Sequence, residues 1–69
     1  MPVKTHLERI RKEHDEERMD LVRDLNVSYQ VIQKWEKGIL HQLDTNILHK
    51  IMERYNVRYE DLIYEIEKS

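Results

Sequence analysis

One glycine and one proline in 69 residues constrain this fold more than any other feature of the chain. Strand hairpins are closed by residues that accept positive φ or pre-set a turn, and glycine and proline lead that list. A chain nearly free of both has little means of building a strand-and-turn architecture. The expected fold is therefore all-α: a compact bundle of about five short helices in a single domain spanning residues 1–69. Hydrophobic residues make up 39% of the chain, enough for one small core. There is no cysteine, so neither a disulfide framework nor a thiolate zinc site can staple it.

Apolar spacing places the helices. The first is expected over residues 5–14, with Leu7 and Ile10 inward and Thr5 as N-cap. The second covers Arg18–Leu25, where Leu21, Val22 and Leu25 form one stripe. The third covers Tyr29–Lys37, with Val31, Ile32 and Trp35 as the next stripe and Gly38 closing it in the left-handed position. Residues 39–43 form a loop whose Leu43 turns back into the core while Ile39 and Leu40 remain exposed. Asp44 or Thr45 caps a fourth helix running to Tyr55, on Ile47, Leu48, Ile51, Met52 and Tyr55. A fifth begins near Tyr59 and carries Leu62, Ile63 and Ile66. With Tyr59 and Tyr64 beside them, Ile63 and Ile66 offer more apolar surface than inward packing needs, which suggests a twofold contact and a homodimer.

The joint between the second and third helices is the most specific local feature. It reads Leu25-Asn26-Val27-Ser28. Asn tolerates the left-handed conformation that ends a helix, Val plugs the corner, and Ser is a favoured N-cap for the next helix. Two helices joined by so short a turn over residues 18–37 are a helix-turn-helix, whose second member can enter a DNA major groove. The same device returns at Tyr55-Asn56-Val57-Arg58-Tyr59, as a second solution of one turn problem.

In order and spacing these parts resemble the Cro/cI-type, lambda-repressor-like helix-turn-helix family (the XRE family) over nearly the whole chain. Leu7, Ile10 and Arg11 stand where that family's first helix has an apolar pair followed by Arg. Leu21, Val27-Ser28, Ile32 and Trp35-Glu36-Lys37-Gly38 are similar to its central motif, and 56–63 to its ending. The resemblance implies that the third helix lies in the major groove, with Tyr29, Gln30, Gln33 and Lys34 facing base edges. Gln pairs with adenine and Lys donates to guanine acceptors. It further implies phosphate contacts from Arg18, Ser28 and Lys37. Without it, Gln30, Gln33, Lys34 and Lys37 would read as the solvated face of an amphipathic helix, and Trp35 reads as core in either case.

Charge weighs on the same question. The 12 basic and 14 acidic residues give a net charge of −2, whereas nucleic-acid affinity draws heavily on phosphate neutralisation. The basic and acidic residues of 1–38 balance, and the negative excess lies in 39–69. Asp15, Glu16 and Glu17 put three carboxylates at the start of the second helix, where they suit its dipole and repel a phosphate. Two functions follow. One is a sequence-specific DNA-binding transcriptional regulator acting on double-stranded DNA, as a dimer because one recognition helix spans only a half-site. The other is an interaction module of the same fold that binds another regulatory protein, as an antirepressor or antitoxin-like partner does. Other classes find no support. The four histidines contain no i,i+4 pair for a metal, and no nucleophile has a partner or a glycine loop beside it, so neither catalysis, metal nor cofactor is expected. No apolar run approaches the roughly 18 residues of a membrane span, and the start lacks a signal peptide's apolar core. A cytoplasmic protein is the expectation.

Overall fold

The computed structural model describes residues 2–66. Five helices follow a short N-terminal strand: β1 (Val3–Thr5), α1 (Leu7–Glu13), α2 (Arg18–Leu25), α3 (Tyr29–Lys37), α4 (Thr45–Tyr55) and α5 (Tyr59–Leu62), with β2 (Ile63–Glu65) closing the order. The fold is mostly helical, as the scarcity of glycine and proline requires. α2 and α3 begin and end where the apolar stripes place them.

Both Asn-Val corners adopt the expected form. Asn26 and Asn56 are left-handed, at φ 56° and 52°, and each donates its N–H back to the last turn of its helix, to the Val22 and Met52 carbonyls respectively. Asp44 caps α4, its Oδ1 accepting from the Asn46 N–H at 2.9 Å and the Ile47 N–H at 3.3 Å. Six side chains form the fully buried centre: Leu7, Leu21, Leu25, Ile32, Ile51 and Leu62. Trp35, at 4% exposure, completes the core beside them.

Four expectations are corrected. The first concerns strands: β1 and β2 pair antiparallel, with Lys4 opposite Tyr64 and Thr5 opposite Ile63. No tight hairpin is needed, because the whole helical body serves as their connection. α5 accordingly stops at Leu62. Ile63 turns to extended backbone at φ −111°, and β-branched and aromatic residues at 63–64 suit a strand. Ile63 is buried in the core, so it contributes nothing to a surface patch for a twofold contact; Tyr59 and Tyr64 remain exposed there, and Tyr64 stacks on His6 with ring centroids 4.5 Å apart.

The second correction is at the start of α1, which begins at Leu7 with His6 as its boundary residue. Thr5 belongs to β1, yet its hydroxyl still accepts the Leu7 N–H, at 3.2 Å, while donating to the Trp35 carbonyl. The third concerns the loop after α3. Ile39 is 47% exposed, but Leu40 is only 3% exposed and enters the core, while Leu43 packs against it partly buried, as expected. Its backbone exchanges two hydrogen bonds of 2.8 Å with Val3, drawing that loop onto β1. The fourth is Gly38, which is extended at φ −90° and not left-handed. Glycine is needed there for space: a Cβ would lie 2.8 Å from the Lys34 carbonyl oxygen.

Candidate nucleic-acid interface

α3 has two faces set by its sequence. Ile32, Trp35 and Glu36 point inward and are buried, whereas Tyr29, Gln30, Gln33, Lys34 and Lys37 lie exposed on the other side. Ser28 caps the helix, its Oγ accepting the Val31 N–H at 3.3 Å. The remaining orphan N–H groups of the first turn thus open to solvent beside Tyr29. All four residues expected at base edges are therefore solvent-facing, and Ser28 and Lys37 stand at the two ends of the same helix.

Glu36 is a carboxylate on the buried face of a helix, its side chain wholly shielded. Such a charge requires partners. Arg11 supplies Nε at 2.7 Å and Nη2 at 3.3 Å, and Arg18 supplies Nε at 2.9 Å. Arg11 also donates from Nη1 to the Glu16 carbonyl at 2.7 Å, tying the corner between α1 and α2. Arg18 continues the chain outward: its Nη1 donates to the Tyr29 hydroxyl at 3.0 Å, and its guanidinium lies 5.6 Å from that ring's centroid. The Glu36 hydrogen bond, followed by the Tyr29 one, holds the Arg18 guanidinium above its ordinary pKa. The family resemblance implies Arg18 as a phosphate ligand. In the structure two of its three nitrogens are already engaged, and it fixes Tyr29 at the head of α3.

The Arg11–Glu36 link is the part that sequence reasoning missed. Its signal was present: Glu36 falls on the buried arc with Ile32 and Trp35, and Arg11 follows the inward Leu7 and Ile10. A charge on each of two apolar stripes implies a buried pair.

The acidic start of α2 also differs from its appearance in sequence. Glu16 is bound by Arg54, which reaches it from α4, and the same guanidinium holds Asp24 at 2.7 Å. Burial works to lower the Arg54 pKa, but the hydrogen bonds to Glu16 and Asp24 outweigh it and raise the pKa above the ordinary value. Glu17 stays exposed and uses its N–H to bond Asp20 Oδ2 at 2.8 Å. Only Asp15 and Glu17 of the three carboxylates are left facing solvent. Among the described residues no helix is long and apolar enough to cross a membrane.

Comparison with known families agrees with this geometry. The family model for the Cro/C1-type HTH DNA-binding domain matches residues 6–68, from the end of β1 through all five helices. No curated protein and no solved structure gives a significant match. The match spans nearly the whole chain, and the chain belongs to the Cro/C1-type helix-turn-helix DNA-binding domain family.

Proposed function

We propose that this protein is a sequence-specific transcriptional regulator that lays α3 in the major groove of double-stranded DNA. The observation that carries the reading is the exposed face of α3. Gln30, Gln33 and Lys34 are base-reading residue types, presented together on a helix whose opposite face is locked into the core. Tyr29 is held at its head by Arg18. Ser28 and Lys37 at the helix ends, with the remaining Nη2 of Arg18, supply phosphate contacts that set the register. One such helix covers a half-site, so the proposal includes a homodimer on a two-part operator. The exposed Tyr59 and Tyr64 are its candidate contact. Selection of bound sequences from random duplex, read at low and moderate salt, tests this directly. A recovered motif with two half-sites about one helical turn apart is the expected result; an unenriched pool refutes sequence reading.

The exposed Asp15 and Glu17 and the net charge of −2 favour a second reading, an interaction module for another regulatory protein. An unenriched pool, combined with equal binding of wild type and a Gln30→Ala variant to any duplex, would select it.

A further inference from the structure

Glu8 sits in the first turn of α1 between a cation of its own helix and one of α2. Its Oε1 lies 3.2 Å from Lys12 Nζ, and its Oε2 lies 3.9 Å from Arg18 Nη2. Lys37 of α3 acts on it through space, and these charges, with the Lys12 hydrogen bond foremost, hold the carboxyl below its ordinary pKa. The Arg18 arm is informative. Nε is committed to Glu36 and Nη1 to Tyr29, which leaves Nη2 aimed at Glu8 at a separation too long for a hydrogen bond. Among the described residues Nη2 makes no hydrogen bond to a protein acceptor. A guanidinium arm fixed in place by its neighbours, facing a carboxylate at ion-pair distance beside a second cation, suits an anion with more oxygens than a carboxylate.

We infer that Lys12 and Arg18 form a phosphate site at the α1 flank of the recognition helix, and that Glu8 occupies it in the free protein as an internal competitor for a nucleic-acid phosphate. The inference rests on the proposed DNA reading and extends it to α1, adding Lys12 as a contact and Glu8 as a residue that limits affinity. The expected ligand is a backbone phosphate, because sequence-independent charge neutralisation is all that one ammonium group and one guanidinium arm can read. Glu8 then tempers binding to all duplexes alike. The ratio of specific to non-specific affinity is then left to the base contacts of α3, while Glu8 sets the overall affinity and its salt dependence.

Glu8→Gln is the test and Glu13→Gln is its control. Both remove one negative charge from α1, but Glu13 pairs with Arg9 at 3.5 Å and borders the groove toward Glu60 and Asp61, away from Arg18. Anisotropy titrations of a fixed duplex over a salt series are expected to show Glu8→Gln binding roughly twofold to fivefold tighter at low salt, the scale of one exposed ion pair. The slope of log K against log salt should steepen by about 0.9, the value for one more neutralised phosphate. Glu13→Gln should leave the slope unchanged. Adding Lys12→Gln to Glu8→Gln should cancel the gain. Equal behaviour of Glu8→Gln and Glu13→Gln, or no change in either, overturns the inference while leaving the DNA reading intact. If wild type and every variant fail to bind any duplex, the DNA reading falls and the inference falls with it.

Discussion

Replacing Glu36 with Ala should unfold this protein or bring it close to unfolding. The carboxylate is fully shielded and holds two guanidiniums, so the truncation leaves Arg11 buried beside an empty volume. Removing one partner of a buried pair costs about 3–5 kcal/mol. A 69-residue domain has about 3.5–10 kcal/mol of total stability at typical per-residue values, so the loss is a large fraction of the whole. With Tm falling by ~4–8 °C for each kcal/mol at this size, the midpoint should drop by at least ~12 °C. Trp35 is the single tryptophan and lies buried next to Glu36 in sequence, so its fluorescence in a urea titration reports the transition. Two variants refine the assignment. Glu36→Gln keeps the shape and one acceptor but sets an amide donor against a guanidinium, and should cost an intermediate ~1–3 kcal/mol. Arg11→Met combined with Glu36→Leu removes the buried charges on both sides, and should be more stable than Glu36→Ala alone. An unchanged urea midpoint in Glu36→Ala would refute the reasoning, because a carboxylate that can be lost without cost is not holding the α1, α2 and α3 junction.

Trp35→Ala should cost about 3–5 kcal/mol, the range for truncating a buried large aromatic, read as loss of the cooperative thermal transition by circular dichroism. Gln30→Ala and Lys34→Ala should each cost roughly 1–3 kcal/mol on the selected sequence and change base preference, while leaving binding to unrelated duplexes in place; wild-type affinity and preference in both would remove α3 from the groove. Gly38→Ala should lower stability by about 1–2 kcal/mol in chemical denaturation, since the added methyl meets the Lys34 carbonyl and the backbone must shift. Light scattering at tens of micromolar should give about twice the 8.6 kDa monomer mass, and a strict monomer would remove the homodimer from the proposal.

The helical half of the fold was legible because each helix is bounded by residues with one dominant use. Asn26, Ser28, Asp44 and Asn56 all do in the structure what their side-chain chemistry favours. The strands were illegible for the opposite reason. Three residues at Val3–Thr5 are too short to show a period of two, and Leu62, Ile63 and Ile66 also fit a helical stripe. Only the pairing of chain start to chain end decides between them, and that is a tertiary fact. Leu40 was misplaced because adjacent apolar residues in a loop look alike until the backbone partner is known; here Val3 is that partner. The exposed residue types of α3 could be read from periodicity, but the engagement of Arg18 could not. Its three partners, Glu8, Tyr29 and Glu36, come from two helices besides its own, and nothing in local spacing brings them together.

That arrangement also changes the meaning of the net charge. A formal −2 suggests repulsion from DNA only if the charges are spread evenly, and they are not. Around Glu36 two guanidiniums face one carboxylate, with Glu8 at the outer arm of Arg18, so this cluster is close to neutral. Lys34 and Lys37 in the last turn of α3 add two exposed positive charges with no acidic residue on that face. Around Arg54 two carboxylates face one guanidinium, which places an excess negative charge in the contact between the α2 entrance and α4. Partly buried charges of this kind act over short range once they are compensated, and a phosphate responds to the local sum and not to the total. The surface that α3 presents is therefore cationic in a chain that is acidic overall. An acidic body with a cationic α3 face repels a polyanion everywhere except along that face, which is the distribution the proposed DNA reading requires.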